Sequence, residues 1–172
     1  ISAAGMRLSD IVEVHRDGTG VSWDAFGQDM RESQGDMNRP FFLNLLAQEW
    51  FGGIGVIDSR LTAGGRVADI GCGHGWSAIG LALGYPKVEV DGFDLDEPSI
   101  ESARRHAAEH DVTDRVHFHA VDAGDAALDG TYDLVTAFEC IHDMPDPVSA
   151  LRTMKRLAGD DGLVVVMDER VS

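Results

Sequence analysis

Apolar residues follow two different periods along this chain, and the change of period divides it. Through residue 37 polar positions dominate, with Gly18, Gly20, Gly27 and Gly35 scattered among them, which predicts short helical patches at best. After Asn38-Arg39-Pro40, the residues Phe41, Phe42, Leu45, Leu46, Trp50 and Ile54 recur three and four apart. That spacing predicts an amphipathic helix, ended or broken by Gly52, Gly53 and Gly55. From Arg66 strand and helix patterns alternate. Val67-Ala68-Asp69-Ile70 reads as a short buried strand, and a helix carrying Trp76, Ile79, Leu81 and Leu83 follows, closed by Gly84-Tyr85-Pro86. Residues 88–93 read as a second strand. Asp96 can cap the next helix, which turns Ile100, Ala103 and Ala107 inward.

Val116, Phe118 and Ala120 then alternate with His117, His119 and Val121, as in a strand at a sheet edge with one wetter face. Residues 134–138 are a fourth strand. Asp146-Pro147 is a cap and first-turn pair for a helix carrying Val148, Leu151 and Met154. After the turn Gly159-Asp160-Asp161-Gly162, the run Leu163-Val164-Val165-Val166-Met167 predicts a fifth strand buried on both faces. Such a strand left at an edge would be an aggregation hazard, so further chain is expected beyond Ser172. Five strands with short helical connections imply right-handed crossovers, hence an α/β, doubly wound, mostly parallel sheet with helices on both faces. The expected division is an N-terminal helical lid or dimerisation segment over residues 1–62 and a core over 63–172.

Length and composition narrow the classes. The chain has 172 residues, 44% hydrophobic and 26% charged, which suits one globular unit and excludes disorder and fibrous classes. Its formal net charge is −16, which repels phosphate backbones and sets it against nucleic-acid partners. No apolar run approaches a membrane span, and nothing near Ile1 resembles a signal peptide. Cys72 and Cys140 are too few for a disulfide framework or a zinc cage, so a reduced, cytoplasmic setting is expected.

The chemistry concentrates at Asp69-Ile70-Gly71-Cys72-Gly73-His74-Gly75, between the first strand and its helix. Ligands of open parallel sheets sit beyond the carboxyl ends of the strands. Alternate glycines let the backbone turn tightly and approach a ligand, and the helix start offers free amides to a carboxylate. A dinucleotide fold needs Gly-x-Gly-x-x-Gly. Here the third glycine comes one residue early and Trp76 occupies the position a glycine would need, which argues against a nicotinamide or flavin. No Gly-Lys-Ser/Thr follows, so there is no P-loop. Asp94 lies 19 residues after Gly75, at the end of the neighbouring strand, where a carboxylate can accept both hydroxyls of a ribose. Asp122, after the third strand, can accept from an adenine amino group.

These residues resemble the class I S-adenosylmethionine-dependent methyltransferases. Val67-Ala68-Asp69-Ile70-Gly71-Cys72-Gly73-His74-Gly75 matches the first motif and Gly92-Phe93-Asp94-Leu95-Asp96 the second. Val121-Asp122-Ala123, Tyr132-Asp133-Leu134-Val135 and the strand after Gly162 resemble later ones. Asp36-Met37-Asn38-Arg39-Pro40 and its apolar helix look like the lid of small-molecule members. The resemblance implies a Rossmann-like strand order 3-2-1-4-5, with two further strands that this chain lacks. It places Asp69, Gly71, Gly73 and Gly75 around the methionine end of the cofactor, Asp94 at the ribose, and Asp122 with Ala123 at the adenine. Cys72, Leu95 and Phe138, within or beside these motifs, complete the expected cofactor set. The implied reaction is methyl transfer from S-adenosylmethionine to a small-molecule oxygen or nitrogen, leaving S-adenosylhomocysteine.

If the acceptor is a hydroxyl, a base must take its proton. His142, in Phe138-Glu139-Cys140-Ile141-His142-Asp143-Met144-Pro145, is the candidate. The stretch is similar to the His-Asp-aromatic segment of plant-type O-methyltransferases, where that histidine is the base, except that Met144 replaces the aromatic. Asp143 and Asp168 follow neighbouring strands and are a possible magnesium pair, but acids at strand ends are common and no metal is assigned. His117 and His119 read as solvated edge residues, His74 as incidental to the chemistry, and His106 and His110 as lying away from the strand ends. Both cysteines also suit small apolar packing positions. Trp23, Phe26, Phe41, Phe42 and Trp50 could line a substrate pocket, with ordinary packing the stronger reading. Homodimerisation through the N-terminal helices is possible. The alternative to an enzyme is a non-catalytic S-adenosylmethionine-binding regulatory domain of a larger protein.

Overall fold

The computed structural model of the protein describes residues 5–125 and 127–169. Its N-terminal part is more helical than its sequence predicts. Helix α1 (Leu8–Asp17) is followed by α2 (Trp23–Phe26), N-capped by the Ser22 hydroxyl, and by α3 (Gln28–Phe41). The α3 sequence is polar on most of its surface, and tertiary contacts hold it: Arg31 pairs with Asp96, 65 residues away, and Gly35 closes against the His74 ring.

Pro40 lies inside α3 and does not open the apolar helix. The chain runs on into a π-helical segment, Phe42–Phe51, while the Asn44 side-chain amide donates to the Pro40 carbonyl at 2.7 Å. The wider winding changes the buried phase. Phe42, Leu46, Ala47 and Phe51, four and five apart, face the core, whereas Leu45, Trp50 and Ile54 of the predicted stripe are exposed. Helix α4 (Gly55–Ala63) follows, unannounced by the pattern, and buries Ile57 and Leu61.

The core is a five-stranded sheet of β1 (Gly65–Ile70), β2 (Val88–Asp94), β3 (Val116–Ala120), β4 (Leu134–Phe138) and β5 (Leu163–Met167). All neighbouring pairs are parallel, in the order β3-β2-β1-β4-β5. Each predicted strand is present within a residue or two. Strand β1 takes the centre, between β2 and β4, with Asp69 in register with Gly92 on one side and Thr136 on the other. Helices α5 (Trp76–Gly84), α6 (Glu97–Glu109) and α7 (Pro147–Ala158) are the crossovers. Asp96 caps α6 and Asp146 caps α7, each accepting the amide three residues on at 3.0 Å.

One face of the sheet packs against the π segment, α4, α5 and α6, and the other against α7. On α5, Trp76, Ile79 and Leu81 are buried but Leu83 is exposed. On α7 the inward face is Ala150, Thr153, Met154 and Leu157, while Val148 and Leu151 point to solvent. Ala150, Met154 and Leu157, four and three apart, mark the centre of that face; Leu151 has helical spacing to Met154 but lies at the border, and Val148 lies beyond it. The edge strand β5 also departs from expectation: Val164 and Val166 are 41% and 43% exposed and alternate with half-buried neighbours, so among the described residues it is covered on one face only.

The π segment docks on α5 through two glycines a turn apart. A Cβ added at Gly80 would overlap the Phe42 carbonyl oxygen, and one at Gly84 would overlap the Ala47 Cβ. The obstacle at Gly80 is backbone and cannot rotate away. Gly80→Ala is therefore expected to destabilise the protein by about 1–3 kcal/mol, read as a lower urea midpoint at unchanged slope. A midpoint equal to wild type would show that this seam has slack.

Candidate functional site

The carboxyl ends of β1, β2 and β4 open into a cleft of about 380 Å³, roofed by Trp23, Arg31, Gln34, Gly35 and Asn38 of the N-terminal helices. Every residue expected to bind a cofactor lines it except Gly75. Its floor begins at Asp69, which is 1% exposed. One carboxylate oxygen accepts the Ser77 hydroxyl at 2.5 Å and the other the Thr136 hydroxyl at 2.7 Å. Burial pushes the Asp69 pKa up to about 6, against the pull of those two hydrogen bonds.

All three loop glycines adopt left-handed backbone: φ is 67° at Gly71, 48° at Gly73 and 79° at Gly75. They do so for different reasons. A Cβ at Gly71 would lie 2.6 Å from the Cys140 sulfur, and one at Gly75 would meet Phe118 and Ala103 at 2.5 and 2.8 Å. Those two glycines let the loop pack onto the fold. At Gly73 nothing lies within 4 Å, so its bare Cα faces open cleft. The Gly73 amide donates to Asp94 at 2.8 Å, and the other Asp94 oxygen accepts the Asp96 amide at 2.9 Å. The acid at the end of β2 is thereby tied to the loop leaving β1. Burial raises the Asp94 pKa, and these amides oppose the rise.

Asp122 and Ala123 form the far wall, where Asp122 accepts the Gly124 amide at 2.7 Å. Leu95 is exposed beside Asp94, and Phe138 is buried against Phe42 at a ring separation of 5.5 Å. Cys72 and Cys140 are free thiols, and burial raises both pKa values, so neither is a ready thiolate.

His142 does not line this cleft. It follows β4 in a short 3₁₀ turn, Ile141–Asp143, and lines an adjoining cavity of about 300 Å³ that shares Gln34, Asn38 and Glu139 with the cleft. Its Nδ1 lies 2.5 Å from Asp168 Oδ1, and its amide donates to Asp168 Oδ2 at 3.2 Å. The hydrogen bond that Nδ1–H donates to Asp168 holds the imidazole pKa above its ordinary value. Asp143 stands 3.6 Å from Nε2. The acids considered as a magnesium pair are thus both partners of His142. Among the described residues, the ligand atoms of Glu139, His142 and Asp168 come within 4.8 Å of one another, a set that could hold a divalent cation.

Several side chains prove nearer the site than their spacing suggested. His106 contacts the His74 carbonyl through Nδ1 at 3.0 Å and stacks on Trp76 with centroids 4.0 Å apart, so it buttresses the glycine loop. His119 is paired with Asp91 at 3.0 Å and stacked on Phe93, not simply solvated. Trp23 and Phe42 line the cleft, and Phe41 and Trp50 the second cavity. Sequence reading missed the Arg31–Asp96 clamp, a fork of 2.7 and 2.6 Å between side chains 9% and 13% exposed. An arginine in a polar helix carries no local signal of a partner so distant in sequence.

A protein-family model described as "Methyltransferase domain" matches residues 61–172. The chain is 38% identical over 109 residues to the 27-O-demethylrifamycin SV methyltransferase of Amycolatopsis mediterranei, covering 63% of this chain and 40% of that protein. It is 38% identical over 104 residues to the ubiquinone biosynthesis O-methyltransferase of Bordetella bronchiseptica, covering 59% and 42%. The chain therefore spans about two fifths of the length of these curated relatives. Among solved structures, PKMT2 from Rickettsia typhi in complex with AdoHcy superposes with a TM-score of 0.55 at 25% identity, over 62% of this chain and 21% of that one.

The clamp makes the roof testable on its own. Arg31→Ala is expected to speed proteolytic cleavage near the Gly27 connection by ~10-fold or more, with Arg31→Lys between it and wild type because the bidentate fork is lost but the charge kept. Equal cleavage rates in all three would show that the pair does not hold α3 down.

Proposed function

The chain belongs to the class I S-adenosylmethionine-dependent methyltransferases, and from that premise we propose that it catalyses methyl transfer to an oxygen of a small-molecule acceptor. The observation that carries the reading is the juxtaposition of the glycine-loop cleft with a second cavity holding a histidine–aspartate pair. The O-methyltransferase relatives support oxygen as the attacking atom.

The cleft fits the cofactor. Gly73 presents bare backbone to open space, and each Asp94 oxygen accepts only one amide, leaving lone pairs for the two ribose hydroxyls. Asp122 and Ala123 would take the adenine edge, with Leu95 and Phe138 against its faces. Asp69, Cys72 and the loop glycines would surround the amino-acid end. Because hydroxyls occupy both Asp69 oxygens, that residue acts by positioning the loop. When bound, the cofactor supplies a methyl group on a sulfonium, an excellent leaving group, so catalysis rests mainly on alignment.

His142 supplies the remaining requirement. Asp168 accepts from Nδ1–H, which fixes the tautomer and leaves Nε2 as the proton acceptor for an acceptor hydroxyl. Nε2 would take the hydroxyl proton while the sulfonium methyl passes to the oxygen and the bond's electron pair remains on sulfur. Asp168 stabilises the imidazolium that results.

His142→Ala is expected to lower turnover ~100-fold or more without changing S-adenosylhomocysteine affinity. Because Asp168 raises the imidazole pKa, the acidic limb of kcat/KM falls above pH ~6.5, the unperturbed histidine value. Asp168→Asn removes that support, and the limb moves to lower pH. Turnover persists in the presence of a chelator. An unchanged rate in His142→Ala, or chelator-sensitive activity restored by a divalent cation, would remove His142 from the role of base.

A further inference from the structure

The second cavity combines aromatic walls with unbalanced negative charge. Phe41 and Trp50 meet edge to face, ring centroids 4.7 Å apart, and both rings border it. Glu139 and Glu169 also line it, and among the described residues no lysine or arginine does. The one basic group is His142, already tied to Asp168. Arg31 borders the neighbouring cleft but is held by Asp96.

Glu139 is the distinctive member. It stands where the two cavities meet, lining both. Its amide is fixed to the Met167 carbonyl at 2.8 Å, and its φ of 51° is left-handed, a conformation that non-glycine residues rarely adopt. Its carboxylate has no hydrogen-bond or ion-pair partner among the described residues. A half-buried carboxylate without a partner favours a ligand that brings a cation or a strong donor. Aromatic edges and faces favour an aromatic ring, and a cation near Trp50 gains further. A carboxylate-bearing ligand would face Glu139 and Glu169 with nothing to offset the repulsion.

We propose that the acceptor is a small aromatic molecule carrying a protonated amine, its ring against Phe41 and Trp50 and its ammonium on Glu139. This rests on the methyltransferase reading above and names the substrate class of that same site. Glu139 then selects among acceptors, and His142 deprotonates the hydroxyl that is methylated.

The test is calorimetric binding to the protein saturated with S-adenosylhomocysteine, using tyramine and 4-hydroxyphenylacetate, which share a phenol and differ in the charge of the side chain. Tyramine is expected to bind at least ~10-fold more tightly, and Glu139→Gln to shrink that preference below ~3-fold. Glu139→Gly, which relieves the left-handed backbone, should lose the preference equally, so a folding defect in one variant cannot imitate the result. Both variants should still bind S-adenosylhomocysteine, which shows that they are folded. Equal binding of the two phenols, tighter binding of the carboxylate, binding of neither, or a preference that survives both substitutions would overturn the proposal. Failure of S-adenosylhomocysteine to bind wild type would instead overturn the methyltransferase reading beneath it.

Discussion

Asp69 is a carboxylate on the central strand, nearly sealed from solvent, with each oxygen held by a hydroxyl from a different element. Thr136 comes from β4 and Ser77 from α5, so the residue next but one before the glycine loop is fixed from two directions. An ionisable group in such a place is costly, and the rise of its pKa to about 6 expresses that cost. In return the loop leaves the sheet from a rigid point. Gly71 and Gly75 are then pressed against Cys140, Phe118 and Ala103, positions where no larger residue fits the same path. Only Gly73 is left facing space, and its amide reaches Asp94.

That chain of constraints gives the site its division of labour. The two ends of the loop are set by packing, its middle faces open cleft, and Asp94 is bound to it from the neighbouring strand. On the proposed reading, the cleft therefore needs no large rearrangement to present amides and carboxylates to a nucleoside. The second cavity depends on different elements, the ends of β4 and β5, whose parallel register brings Phe138 beside Met167. One residue after each of those positions stand Glu139 and Asp168, and His142 reaches back to the latter. Adjacent strands thus place the histidine–aspartate pair next to the glycine-loop cleft without any loop having to travel far.

The core was legible because its signals are local. Strands show as apolar runs, and Asp96 and Asp146 announce their helices by the residues that follow. The glycine spacing already separated this loop from a dinucleotide fold, and Asp94 followed from its distance to Gly75. What was not legible depends on contacts between distant segments. Helix α3 exists because Arg31 finds Asp96 and Gly35 finds His74, and neither partner can be read from a polar sequence. The π winding after Pro40 moved Leu45 and Trp50 off the buried face, since apolar spacing was read with the usual helical period. On α7, Val148 and Leu151 looked like core and are not, because the sheet selects the face on which Met154 lies. The partnership of His142 with Asp168 is set by strand register, and the left-handed backbone of Glu139 has no sequence marker.

The central claim is that the glycine loop and Asp94 together cradle a nucleoside. Titration of S-adenosylhomocysteine into wild type and Asp94→Asn, with melting temperatures recorded for both, addresses it most directly. Wild type is expected to bind at a single site, and the variant ~10-fold or more weakly at similar melting temperature, because one charged acceptor for the ribose hydroxyls is lost. No binding by wild type, or equal affinity in the two proteins, would contradict it.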